Sequence, residues 1–112
     1  MRIQLDEDVP RRLGTLLTGH ETETVPRSAW SGLKNGKLLA LAATKFDVFL
    51  TMDQNIEFQQ NLATLPVAIV VVEARSNRME HLLPLVPEIL KELNDLAPKS
   101  FRRVKGLPPS EA

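Results

Sequence analysis

Four acids stand where the chain can use them for chemistry. Asp6, Glu7 and Asp8 are consecutive in "QLDEDVP", and Asp53 closes the apolar run "VFLTMD". Adjacent carboxylates repel one another unless a cation lies among them or all of them face water. Paired carboxylates with hydroxyls and amides nearby suit a hard cation held by oxygen and water, which points to Mg²⁺ or Mn²⁺. Such an ion lowers the pKa of bound water and neutralises charge on a phosphoryl group. The expectation is a cation site with Asp6 and Asp53 as its ligands, both catalytic, and Glu7 as an accessory acid. Each acid also has a plainer reading. Asp8 suits the N-cap of a helix opened by Val9 and Pro10, Asp53 suits the N-cap of the helix after it, and Glu7 suits a solvated position. Asp6 has the weakest plain reading, because a carboxylate finishing a central strand needs partners.

These acids are far apart in sequence, so the elements between them must bring them together. "RIQL" reads as a strand and "VPRRLGTLLTG" as a helix stopped by Gly19 in a left-handed conformation. "HETETV" alternates as a polar edge strand, "KLLALAATKF" has helical spacing, and "DVFLTMD" and "VAIVVVE" are apolar runs of β-formers. Continuous apolarity means strands covered on both faces, as in an interior parallel sheet. Asn77 and Glu80 have capping-box spacing at the start of a helix reaching Leu96, which Pro84 and Pro87 should kink or divide. "FRRV" suits a final edge strand. The alternation predicts a three-layer α/β/α sandwich with a mainly parallel sheet in the order 2-1-3-4, with a fifth strand outside. All strands then end on one edge, with Asp6 and Asp53 on neighbouring strand ends at the switch point. Asp47 begins the third strand and belongs to the opposite edge. The loops after strands two and four bring Trp30, Ser31, Asn35, Arg75, Ser76 and Asn77 towards the acids. Arg75, Ser76, Asn77 and Trp30 are the candidate substrate contacts, although Trp30 also suits a lid over the core. Arg75 has Glu73 and Glu80 as candidate ion-pair partners. Glu57, one turn past Asp53, suits a solvated face better than the site. His20 and His81 have no ligand-like spacing.

At 112 residues the chain fits one domain, taken as 1–104 with a tail at 105–112. Cysteine is absent, which excludes disulfides, zinc-thiolate sites and thiol nucleophiles and fits a reducing cytoplasm. Lys and Arg number 14, as do Asp and Glu, so overall charge advertises neither nucleic acid nor membrane. No apolar run approaches the roughly 20 residues of a membrane span, and no secretory signal pattern opens the chain.

"LDEDVPRRL", "GHETETV", "WSGLKNGKLLALA", "FDVFLTMDQNIEFQQNL" and "VVVEARSNRMEHLLPLVP", in this order, resemble the short single-domain PIN-like family, which is similar to VapC-type toxins of bacterial toxin–antitoxin systems. The resemblance covers residues 1–104. It implies a PIN-like fold and metal-dependent endoribonuclease chemistry, in which carboxylates hold Mg²⁺ or Mn²⁺ and an activated water attacks the RNA phosphodiester. By position, Asp6 and Asp53 match the two most characteristic acids of the family, with Glu7 accessory. The chain departs from the family at Asn35, where relatives often open the helix with an acid. Asn coordinates a metal through its carbonyl oxygen without adding charge, and Lys34 and Lys37 flank it.

Two other readings compete. One is a catalytically decayed binding module acting through an antitoxin-like protein or as a homodimer. A homodimer is the first expectation for association in either case. The other is a phosphoacceptor receiver domain, imitated by Asp6, Asp8, Asp53, Ser76 and Lys105. It lacks the proline and glycine usual after the third strand and the proline usual after the final lysine.

Overall fold

Short runs of β-branched and aliphatic residues become strands here because helices cover them on both sides. The computed structural model describes residues 1–25 and 35–106, with Asn35 through its backbone only. Its five strands are β1 (Arg2–Leu5), β2 (Glu21–Thr24), β3 (Val48–Thr51), β4 (Ala68–Glu73) and β5 (Phe101–Lys105). They form one all-parallel sheet in the order β2-β1-β3-β4-β5. This is the expected α/β architecture, including the outer fifth strand and the polar β2 at an edge. Leu5 pairs in register with Thr24 on one side and Leu50 on the other, so the ends of β1 and β3 are level.

The helices are α1 (Arg11–Thr15), α2 (Asn35–Lys45), α3 (Ile56–Gln59), α4 (Met79–Leu82) and α5 (Val86–Asn94). One face of the sheet buries Ile3, Leu5, Leu50, Val70 and Val72 against Leu13, Leu82, Ile89 and Leu93 from α1, α4 and α5. The other buries Phe49, Ile69 and Val71 against Leu38, Leu39 and Ile56 from α2 and α3. At about 2–5 kcal/mol for truncating a buried Leu or Ile to Ala, these two apolar layers are what fix the strand ends in place.

Several boundaries differ from the sequence expectation. β1 stops at Leu5 and β3 at Thr51, so Asp6 and Asp53 lie just beyond the ladder. The helix expected from Val9 is regular only over Arg11–Thr15. It continues as turns in which Leu16, Leu17 and His20 donate to Leu13, Gly14 and Leu17. Gly19 has φ of 84°, the left-handed stop expected of it. Gly14 is needed for a different reason: a Cβ there would lie 2.5 Å from Thr22 Oγ1, so α1 packs onto β2 only because that side chain is missing. Pro84 and Pro87 do divide the final helix, into α4, a 3-10 turn over Leu83–Leu85, and α5. The Asn77–Glu80 capping box does not form. Arg78 is the N-cap residue without a side-chain cap, and its N–H donates to Ser76 Oγ at 3.1 Å.

Candidate active site at the carboxyl edge of the sheet

The apolar run "VFLT" carries β3 through the core and ends on a polar residue. Thr51 is fully buried, and with Gln4 it is one of two buried polar residues among those described. Its hydroxyl has partners on both sides: it donates to Asp6 Oδ2 at 2.6 Å and accepts from the Asp53 N–H at 3.0 Å. One side chain therefore links the end of β1 to the end of β3. The Asp6 N–H also donates to Leu50 carbonyl oxygen at 2.9 Å, extending the β1–β3 ladder into the site.

The second carboxylate oxygen of Asp6 accepts from the Glu7 N–H at 2.8 Å. Asp8 Oδ1 accepts from the Met52 N–H at 3.2 Å, so its side chain reaches across to β3. Asp53 Oδ1 accepts from the Asn55 N–H at 3.0 Å and shapes the turn into α3. Neither plain cap reading holds: the N-cap of α1 is Pro10 with no side-chain bond, and the N-cap of α3 is Asn55. Asp8 lies beside the other acids instead. Val9 N–H bonds to Asp6 carbonyl oxygen at 3.0 Å, a tight turn that folds Asp8 back over the strand ends.

Burial of the acids, and after it their crowding, shows in their proton affinity. Burial pushes the Asp6 carboxyl above the ordinary range; bonds from Thr51 and the Glu7 N–H oppose the rise, and the Glu7 and Asp53 charges add to it. Asp8 is pushed up to about 6, by burial first and then by the Asp6 charge, with Asp53 adding to it and the Met52 N–H opposing it. Three carboxyls that feel one another in a half-dry setting gain from a shared proton or a cation. No group of three His, Asp or Glu side chains forms a ready cage for a metal among the described residues. Two aspartates with water completing the shell match how Mg²⁺ is usually held, and the all-oxygen donors suit it and Mn²⁺. The fit is to a lightly ligated ion.

The other candidates separate. Glu7 is exposed beside Asp6 and contributes its N–H. Asn35 is the first residue of α2, and its side chain lies outside the described set, as does Trp30 altogether. Asn77 reaches the acid loop, its Nδ2 donating to the Asp8 carbonyl oxygen at 3.3 Å. Ser76 turns inward and bonds His81 Nδ1 at 2.7 Å. Arg75 is exposed and makes no ion pair with a described residue; the expected pairing with Glu73 or Glu80 is absent. Glu73 faces Arg103 and Lys105 at 3.7 Å, and Glu80 faces Arg78 at 3.0 Å. Glu57 belongs to neither the acids nor a solvated face, being half-buried and paired with Arg103. Asp47 sits at the opposite edge, as expected, where its Oδ2 accepts from the Arg2 N–H at 2.9 Å. Lys105, the lysine a receiver domain would need, faces Glu73.

No protein-family model, curated protein or solved structure matches the chain. Thr51 is the residue that sequence reasoning passed over, and a threonine ending an apolar strand two residues before an acid was the available signal. Asp8 was among the acids considered but was left out of the cation site, since an acid before Val-Pro reads equally well as a cap.

Proposed function

We propose that the protein is a metal-dependent endoribonuclease of PIN-like type, acting as the toxin of a toxin–antitoxin pair in the cytoplasm. The observation that carries the reading is the convergence of Asp6, Asp8 and Asp53 at the level ends of β1 and β3, half-buried and mutually repelling. A bound Mg²⁺ or Mn²⁺ would supply charge neutralisation at the phosphoryl oxygen and a more acidic water. Asp6 and Asp53 hold that ion. Thr51 orients Asp6 through its hydroxyl, and Asn77 braces the acid loop from the β4–α4 connection. Arg75, exposed on that connection, contacts the RNA backbone. Among the described residues no helix is long and apolar enough to cross a membrane.

A second reading, a binding module acting through an antitoxin-like protein or a second copy, is favoured by two observations. Asn35 stands where an acid would complete the ligand set, and Phe58 on α3 is 80% exposed, a surface suited to association. The deciding experiment is a Mn²⁺ titration read by thermal shift, with cleavage of a mixed RNA pool in parallel. The nuclease reading expects stabilisation by Mn²⁺ and cleavage that disappears in Asp6→Asn. Folded, Mn²⁺-bound protein that leaves every RNA intact would transfer the assignment to the binding module. Asn35→Asp sharpens the choice, because an added charge should tighten Mn²⁺ binding if α2 opens beside the ion.

A further inference from the structure

A polar cavity lies between α1 and β2. It measures about 190 Å³ and is lined by Leu5, Arg11, Thr15, Thr22, Glu23 and Thr24. Leu5 immediately precedes Asp6, and Thr24 is its register partner, so the cavity belongs to the same carboxyl edge. The close approach of Gly14 to Thr22 puts that threonine on the α1 face, and Thr24, two residues on, shares it. Glu21 lies 3.7 Å from Arg2, whose guanidinium stands over Phe46 at the end of α2, on the opposite face. Glu23 alternates with the threonines and shares the Glu21 side, so it borders the cavity through its backbone.

The side chains left inside are one cation, hydroxyls and the apolar Leu5. Arg11 is exposed and makes no ion pair with a described residue. Thr15 is committed, donating to the Arg12 carbonyl oxygen at 2.7 Å. The hydroxyls of Thr22 and Thr24 make no hydrogen bond to another described residue, so both are available as donors. A planar guanidinium with two hydroxyl donors is a complement for a tetrahedral oxyanion. We infer that this cavity is an anion subsite receiving a backbone phosphate of the strand whose neighbouring phosphate lies at Asp6 and Asp53, an assignment that rests on the nuclease reading. Its physical role is to offset the repulsion that three carboxylates impose on a polyanion.

The test separates the subsite from the nuclease. Inorganic phosphate is titrated into the protein with the amide signals of Thr15, Thr22 and Thr24 observed by NMR, and acetate serves as the control anion. Phosphate should move these signals in wild type and not in Arg11→Gln, a change at an exposed position that leaves the core alone. In an Asp6→Asn background, which should bind without cutting, adding Arg11→Gln should weaken a single-stranded RNA about fivefold to tenfold, as expected for one charge-assisted contact. The slope of log affinity against log salt should become shallower by about 0.7. RNA that stays uncut while both effects appear would remove the nuclease and support the subsite. Silent amides, or an acetate response equal to that of phosphate, overturn it even if RNA is cleaved. A phosphate response without any loss of RNA affinity overturns its assignment to a strand.

Discussion

Asp6 and Asp47 occupy opposite ends of the same sheet, and their surroundings are inverted. Asp47 is exposed and takes the Arg2 N–H while its own N–H donates to the Arg2 carbonyl oxygen at 2.8 Å, so it begins β3 by pinning it to β1. Near it the surface is a mostly apolar groove of about 420 Å³ that includes Phe46, Val67 and Leu96. At the other end Asp6 is half-buried, pressed by Glu7 and Asp53, and held by a buried hydroxyl. An aspartate at the amino edge closes a backbone ladder. At the carboxyl edge the same side chain stores repulsion that a cation can relieve. Parallel topology creates this asymmetry, because every strand leaves its last residues, and every following loop, on one side.

The largest expected effect breaks the carboxyl edge alone. Asp6→Asn or Asp53→Asn should reduce Mn²⁺-dependent RNA cleavage about a hundredfold or more, since the lost charge stabilisation is worth several kcal/mol. Asp47→Asn should leave the rate unchanged, measured on the same substrate. Equal losses from both ends would mean that the asymmetry carries no function.

Thr51→Val comes next. It keeps the shape but removes the hydroxyl that Asp6 and the Asp53 N–H share, leaving buried polar groups unmet at a cost of about 1–3 kcal/mol. Urea denaturation checks this. The variant should also weaken Mn²⁺ binding, because Asp6 loses its fixed orientation.

A smaller effect of opposite sign is expected for Asp8→Asn, which keeps an acceptor for the Met52 N–H and removes a charge. The native Asp8 carboxyl titrates near 6, above its ordinary value, so the native state holds this proton more tightly than the unfolded chain does. That contribution is complete below the ordinary carboxylate pKa and is lost as pH rises through about 6. Wild type should therefore weaken relative to the variant between about pH 4 and 6 and stay level above that. After allowance for solvent screening the gain at pH 7.5 is about 1 kcal/mol, a few degrees in Tm. Thermal scans at several pH values read it, and a gap that widens towards acid would reverse the sign. Asp47→Asn should be the mildest, within about 0.5 kcal/mol, because an amide oxygen still accepts from Arg2.

The covered parallel sheet was legible because apolar runs of β-formers at 48–50 and 67–72 have one environment that suits them, a sheet covered on both sides, and its order followed from right-handed crossovers and the polar β2 belonging at an edge. Gly19 as a stop and Pro84 and Pro87 as breaks were equally plain, since φ preference and a missing N–H act locally. The helix caps were misread because residue type and spacing mark where a cap can form, while the turn of the loop decides where its side chains reach. No side chain caps α4: Ser76 accepts from the N–H of Arg78, the N-cap residue itself, and Asn77 reaches Asp8 instead.

By itself the sequence determined which segments are strands, which residues punctuate them, and that acids gather where strands end; each follows from periodicity and backbone preference. Only the tertiary structure decided which acids share one field. That Asp8 joins Asp6 and Asp53, that Glu57 leaves for Arg103, and that Thr51 links two strand ends depend on through-space distances of a few ångströms. Electrostatic and hydrogen-bond energies fall off over that range, and spacing along the chain does not encode it.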